Sequence, residues 1–326
     1  MPNTLQALVE SSRSFGGGFF NEEYERYAAE HADLIGEVDR EARENWDDDK
    51  WHREVAAVLA DSTDYGFTFR NVFGQYIDTR TVGEFDKVVI RERRGLKVFY
   101  TSRGGYIEES QLRSEEWELP RDTLGYHVSE HEDKLRANFG ENFASLVTLG
   151  RSRMESEVWR RLLTLLQTAI GPTSPYYIET PELEKNVLDV AIREVRDAIR
   201  PSGQGPVPVT ILGRSIAIDH ISDFPGYADE AKEEIRLRGR LGRYKGANLQ
   251  ELVNWTDEDD ESFLPANEVW VLGGTAGKFR LYGGTRAKTW DENTVDYRHY
   301  RARRDIGGLI HKPDQARRII LTNVPA

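Results

Sequence analysis

An α+β fold hung on one long helix is what this sequence predicts, and three features predict it. Between Lys134 and Ile170 the apolar residues Leu135, Phe139, Phe143, Leu146, Val147, Met154, Val158, Leu162, Leu165, Leu166 and Ile170 recur at helical spacing, the mark of an amphipathic rod. Short β-branched and aromatic runs on either side, Leu96–Tyr100, Val209–Gly213, Glu268–Leu272 and Arg317–Leu321 among them, read as strands. Finally, 38% hydrophobic residues in a chain of 326 supply cores for about two domains.

The rod carries no proline, and Gly171-Pro172 ends it because proline has no N–H to carry the hydrogen-bond ladder on. At 1.5 Å per residue it is roughly 50 Å long, more than the width of a small domain. Its two ends must therefore serve different neighbours.

Composition narrows the function classes. A formal net charge of −12 with 31% charged residues disfavours a sequence-reading nucleic-acid binder, whose footprint is a basic domain. It leaves much side-chain surface wet or neutralised by charge pairs, including pairs across subunit contacts. Cysteine is absent, which removes disulfides, thiolate nucleophiles and cysteine-ligated metals. No apolar run approaches the roughly 20 residues of a membrane span, and the N-terminus lacks a basic stretch followed by an apolar one. Neither membrane insertion nor secretion is expected.

In chain order, residues 1–20 close on Phe15-Gly16-Gly17-Gly18-Phe19-Phe20, a glycine hinge between aromatics. Phe15, Phe19 and Phe20 need cover, and a neighbouring copy is the candidate supplier. A helical pattern from Asn21 to Asn45 puts Tyr24, Tyr27, Leu34 and Val38 on one side, a thin helix with little core of its own. Asp47-Asp48-Asp49 opens a second helix over Trp51–Leu59, since acids suit a helix N-terminus; EF-hand spacing is missing. Residues 67–90 suggest short strands and turns. A long hairpin follows, out along Leu96–Tyr100, round a tip at Thr101–Gly105 and back over Glu115–Leu119. Its flanks are too charged for a deep core position, and a two-stranded ribbon alone is marginal in water. Val98, Tyr100, Trp117 and Leu119 need a surface, on a neighbouring subunit or on the chain's own body.

Past the rod, Thr180-Pro181 reads as the N-cap and first residue of a helix that turns Leu183, Val187, Val190, Ala191, Val195 and Ile199 inward. Val209–Gly213 and Ser215–Asp219 read as two strands about a glycine turn, and Tyr227–Leu241 as a helix. Ala247–Val253 reads as a strand after the turn at Lys245-Gly246, Trp255–Glu261 as an exposed acidic loop, and Glu268–Leu272 as a buried strand. This alternation supports a compact unit over 173–284. Thr294–Leu321 alternates around Tyr297, His299, Arg301 and Arg303, bends at Gly307-Gly308 and ends in the strand Arg317–Leu321. These strands must return to a sheet, and the segment before and beside the rod is the expected partner.

Two motifs invite a chemical reading. His127 and His131, beside Glu130 and Glu132, would place two imidazoles one turn apart on a helix, a spacing zinc favours, but the H-E-x-x-H order is absent. Gly273–Gly277 imitates a phosphate loop, yet a strand follows it, so no helix N-terminus waits for the phosphate and a hairpin turn is expected. Neither a nucleophile elbow nor a Walker A motif occurs, and Asp219, Asp223 and Asp229 make no assignable acid–base pair. No cofactor and no metal is expected from these residues.

The order of parts resembles that of the major capsid proteins of tailed double-stranded-DNA bacteriophages: a charged N-terminal segment, a projecting hairpin, a spine helix, an inserted α/β unit and returning strands. The residues that carry it most sharply are Leu241-Gly242-Arg243-Tyr244-Lys245-Gly246 and the run Leu264–Gly273. The resemblance implies the tailed-phage major capsid fold, with an N-terminal arm over 1–70 and an extended loop over 84–122. It implies a peripheral domain of 71–83, 123–172 and 285–326 containing the spine helix 134–170, and an axial domain over 173–284. It further implies no enzymatic activity and self-assembly as pentamers and hexamers into an icosahedral head around the double-stranded DNA genome. Location in the virion, assembly in the host cytoplasm, and portal, scaffolding and decoration proteins as partners follow from the same resemblance. A chain beginning at Met1 is expected to keep the N-terminal segment that part of the family removes. The alternatives are an encapsulin-type compartment, which shares the fold and encloses protein cargo, and a soluble metal-dependent enzyme.

Basic clusters interrupt the acidic chain at Arg236, Arg238, Arg240, Arg243 and Lys245, and again at Arg298, Arg301, Arg303, Arg304, Arg317 and Arg318. They have two possible partners: the backbone of packaged DNA, without base readout, or acids of neighbouring subunits, which suit arginine's planar fork. The second is expected for most, with Arg301, Arg303 and Arg304 as subunit contacts.

Overall fold

The computed structural model describes residues 2–14, 31–66, 76–94, 113–199, 208–225, 235, 241–252, 265–292 and 296–324. The N-terminal part is helical, with α1 (Pro2–Ser14), α2 (Ala32–Asn45) and α3 (Asp49–Gly66). Strands β1 (Ile77–Val82), β2 (Val89–Arg94), β3 (Arg113–Glu118) and β4 (Asp122–His131) lead to the spine. The rod read from the sequence is broken once. Asn138, at φ −138° and ψ 56°, leaves helical space and separates α4 (Glu132–Ala137) from α5 (Phe139–Ala169). Asparagine competes with a helical backbone through its own side chain, which suits it to such a break. The 31 residues of α5 span roughly 47 Å, and Ile170 closes the helix just before Gly171 by donating its N–H to the Leu166 carbonyl.

Each half of α5 serves a different core, as its length demands. Phe139, Phe143, Ala144 and Val147 pack with Leu5, Leu8, Val38, Ala42, Trp46, Trp51, Val55 and Leu59 of the three N-terminal helices. Trp46, Trp51 and Phe139 stand with ring centroids 4.8–6.0 Å apart, and rings of this kind bury about 150–250 Å² each. The expectation of a thin helix with little core over Asn21–Asn45 is thereby corrected for its described part: α2 buries Ile35, Val38 and Ala42 against α1, α3 and α5. Phe15, Phe19, Phe20, Tyr24 and Tyr27 lie outside the described residues. Met154, Val158, Leu162, Leu163, Leu166 and Ile170, from the other half of α5, enter a second core shared by both large sheets.

The remaining described elements are β5 (Tyr177–Thr180), α6 (Lys185–Ile199), β6 (Val209–Gly213), α7 (Ser215–Ser222), β7 (Arg243–Tyr244) and β8 (Ala247–Glu251). After them come β9 (Glu268–Gly273), β10 (Gly277–Glu292), β11 (Tyr297–Ile310) and β12 (Ala316–Leu321). A six-stranded sheet runs in the order β5-β12-β9-β6-β8-β7. Side chains alternate along its strands, so Val269 and Val271 meet the core under α6 and α7 while Trp270 and Leu272 meet the spine. Cover on both faces is why β9 reads as one unbroken buried run.

Several local readings change here. Ser215–Ser222 is a helix, because β6 and β8 are parallel neighbours and parallel strands need a crossover between them. Ala217, Ile218 and Ile221 turn inward from it at helical spacing while Ile216 points out. Thr180 ends β5 and donates its hydroxyl to the Glu182 carbonyl instead of capping a helix. The inward face of α6 is Leu188, Ala191, Ile192 and Val195, with Val190 exposed; the sheet selects one flank of a stripe that is apolar on both. Lys245 and Gly246, at φ 46° and 75°, form the two-residue turn between Tyr244 and Ala247, the left-handed pair that strand twist favours. Asp189 holds the Lys245 ammonium at 2.5 Å. Of the helix expected over Tyr227–Leu241, only Ile235 and Leu241 are among the described residues.

A second sheet has the order β1-β10-β11-β4, with β1 parallel to β10 and the other pairs antiparallel. The strand beside β11 is the one directly before the spine, as expected. Gly273–Gly277 is not a hairpin turn, since it carries the chain from β9 in one sheet to β10 in the other. β12 joins the six-stranded sheet, and β10 continues across residue 284, where its register against β11 shifts between Tyr282 and Arg286. Gly307 and Gly308 lie within β11 rather than at a bend. A β-carbon on Gly307 would meet the Pro120 carbonyl oxygen at 2.4 Å, and one on Gly308 would meet Phe279 Cδ2 at 2.8 Å. Both glycines permit close approach.

Candidate functional site

Among the described residues β2 and β3 pair only with each other, from Val89 opposite Glu118 to Arg94 opposite Arg113. The outward strand thus includes residues before the run read from the sequence. Residues 95–112, which hold Val98, Tyr100 and the tip, lie outside the described residues. Charge lines this ribbon, with Lys87–Glu118 at 3.0 Å and Arg91–Glu116 at 2.8 Å; exposed pairs of this kind contribute about 0–1 kcal/mol each. Its apolar side rests on its own chain. Ile90 is buried, Trp117 is half-buried with its ring 6.5 Å from His311, and Leu119 is 5% exposed. Leu119 therefore serves the base of the ribbon.

The base is locked by one carboxylate. Asp305 accepts hydrogen bonds from Arg121 at 2.8 Å, Thr123 at 2.7 Å and Arg286 at 3.1 Å. Burial alone would raise its pKa, but the donors from Thr123 and Arg121 hold it below the usual carboxylate value. The Arg121 guanidinium also lies 4.5 Å over the Tyr282 ring, a cation–π contact.

On the buried side of the four-stranded sheet, an open groove of about 390 Å³ runs between β4 and the first half of α5. Tyr126, Val128, Leu135, Leu146, Leu149 and Tyr300 give it apolar walls, and Glu130, Asn142 and Arg153 stand at its rim. Val128 and Leu149 are 38% and 50% exposed. Single exposed apolar residues are ordinary; two that flank one groove make a small apolar surface patch. Sequence reasoning missed these walls, because Val128 and Leu149 come together only through the packing of β4 on α5.

Four of the arginines singled out in the sequence, Arg298, Arg304, Arg317 and Arg318, are spent within the chain. Arg298 is buried, forms a two-pronged contact with Asp291 at 2.6 and 2.8 Å and lies 4.9 Å from the Trp46 ring. Arg304 is buried and donates to the Gly283 carbonyl at 2.8 Å. Arg317 pairs with Glu194 at 2.9 Å, and Arg318 pairs with the fully buried Glu268. Arg301 and Arg303 alone of this cluster stand exposed. Arg236, Arg238 and Arg240 lie outside the described residues.

The histidines sit on a strand. His127 and His131 share a face of β4 but stand roughly 13 Å apart along it. His127 Nε2 meets His299 Nδ1 at 3.0 Å, and both rings stack on Trp290, with centroids 5.2 and 5.0 Å away. His131 instead accepts from the Asp133 N–H at the start of α4. Among the described residues no group of three or more His, Asp or Glu side chains is placed to hold a metal ion.

No protein-family model matches the chain, and no curated protein matches it in sequence. Its fold does match solved structures. The capsid structure of the Cyanophage P-SCSP1u superposes with a TM-score of 0.54 at 11% identity, covering 76% of this chain and 87% of that one. The mature capsid of bacteriophage PhiM1 gives 0.54 at 11% identity, covering 79% and 89%. The capsid of an empty GTA particle gives 0.52 at 10% identity, covering 78% and 92%.

Proposed function

Because this chain has the fold of phage major capsid proteins, we propose that it is the major structural subunit of an icosahedral head. In this reading copies of the chain join as pentamers and hexamers and enclose a double-stranded DNA genome, with portal, scaffolding and decoration proteins as further partners and the virion as its location. It performs no catalysis. The observation that carries the reading is the fold, which coincides over about three quarters of the chain with capsids from two phages and a GTA particle.

The described geometry supplies a mechanism. Each copy offers one ribbon and one groove, two different surfaces, and such head-to-tail contacts generate rings when the rotation closes. The segment that joins β2 to β3 carries Leu96, Val98, Phe99 and Tyr100 in its sequence, an apolar set matched in character to the groove walls of Val128, Leu146 and Leu149. Arm and groove contacts are individually modest, and repetition round a closed shell makes them collectively strong. The spine, anchored in two cores, keeps each body rigid while ribbons adjust.

Expression of the full chain followed by electron microscopy and light scattering tests the proposal. Closed particles of uniform size are expected. A monodisperse monomer at concentrations where capsid subunits assemble would overturn it, and native particles filled with protein instead of nuclease-protected DNA would replace the genome with a cargo.

A further inference from the structure

We propose that the open half of the four-stranded sheet is a nucleic-acid backbone surface, on which Lys288, Arg301 and Arg303 bind duplex-DNA phosphates without reading sequence. Alternation along β11 turns Arg298, Tyr300, Ala302 and Arg304 to the core and leaves Arg301 and Arg303 on the opposite face. The register sets Lys288 of β10 and His127 of β4 on either side of Arg301, and Arg286 beside Arg303. Residues two apart on a strand stand roughly 6.6 Å apart and neighbouring strands about 4.8 Å, so the three cations share one small patch.

Arg286 has acidic partners, Glu84 at 2.5 Å and Asp305 at 3.1 Å. Among the described residues Lys288, Arg301 and Arg303 have no partner of this kind, in a chain with a net charge of −12. Mutually repelling cations left together amid an excess of acids are satisfied by a polyanion from outside. Trp290, stacked with His299 and His127, forms a flat ledge beside them. A protein partner anchors itself through apolar side chains in pockets, and lysine is depleted from such contacts. Phosphates need no such pocket.

The inference rests on the shell reading in one respect, that this face then turns to the lumen. The test uses the purified full chain as unassembled subunits, below the concentration at which particles form, with a 30-base-pair duplex of about 1.7 Å per charge, and reads fluorescence anisotropy from low to moderate salt. The wild type is expected to bind two unrelated sequences alike. The K288Q/R301Q/R303Q variant should lose at least tenfold in affinity, with the slope of log K against log salt shallower by about two to three, near 0.9 per phosphate contact. K288R/R301K/R303K should keep the wild-type slope, and both variants should keep the wild-type circular dichroism and particle yield. An unchanged slope in the glutamine variant, or a wild type that ignores the duplex, overturns the proposal. So does a glutamine variant that binds duplex normally but no longer assembles, which would make the face a contact between copies. If the wild type forms no particles at all, the shell reading fails while the duplex measurement still decides the role of this face.

Discussion

The carbonyl oxygen of Pro120 occupies the space beside Gly307 where a β-carbon would stand, 2.4 Å away. The obstructing atom belongs to the backbone, so no rotamer change relieves it. The strand leaving the ribbon is held against β11 at this point, next to the buried Leu119 and the Asp305 network. Gly307→Ala is expected to cost about 1–3 kcal/mol, the usual penalty for overpacking, read as a lower urea midpoint at unchanged slope. A variant as stable as the parent would show that Pro120 moves freely.

His52 predicts a pH dependence. Its Nε2 lies 2.6 Å from the Trp46 carbonyl, to which it donates, leaving Nδ1 to accept from Arg298 at 2.6 Å. Burial holds the imidazole below its ordinary pKa of 6.5, helped by the Arg298 charge and opposed by the Trp46 carbonyl. The unfolded chain therefore takes up the proton first. Stability is full above about pH 7 and falls as pH drops through the unfolded value of roughly 6.5 toward the folded one. His52→Gln should flatten that segment of a stability profile measured by urea unfolding from pH 8 to 5; an unaltered slope would assign it to another group.

Glu268 is fully buried, paired with Arg318 and given a further hydrogen bond by Gln167 at 2.9 Å. Removing one partner strands the other charge, so Arg318→Met should cost about 3–5 kcal/mol. The double variant Arg318→Met with Glu268→Leu should recover much of that loss. Burial pushes the Glu268 carboxyl up while Arg318 and Gln167 hold it down. With Arg318 gone, the penalty should be smaller at pH 5 than at pH 8, because the orphaned carboxyl then takes a proton at less cost. Equal penalties at both values would contradict this account.

The groove gives an assembly prediction. Leu149→Asp places a charge at an exposed wall position, where surface substitutions change stability by about 0.5 kcal/mol or less. Subunit unfolding should be unaltered while particle yield in light scattering falls at least tenfold. Normal particles from Leu149→Asp would remove the groove from the assembly mechanism.

The spine was legible because eleven apolar residues keep one helical phase, and β9 because both its faces are covered. What failed was long-range. Ser215–Asp219 has strand-like composition, but the parallel neighbour β8, arriving some thirty residues later, demands a helix there. Gly307-Gly308 looks like a bend locally; the reason for both glycines lies in Pro120 and Phe279, far off in sequence. The alternation of Arg301 and Arg303 was visible in the sequence, but their juxtaposition with Lys288 required the β10–β11 register. Arg304, one position away, belongs to the opposite face and the interior.

β12 lies between β5 and β9 in the six-stranded sheet. A ribosome adding about 5–20 residues per second delivers β12 roughly 7–28 s after β5. Until then the two flanking strands wait with open edges, and a nascent or prematurely terminated chain carries a split sheet. Translation itself thus acts as a gatekeeper, since only a polypeptide read through β12 has β5 joined to β9 in one sheet.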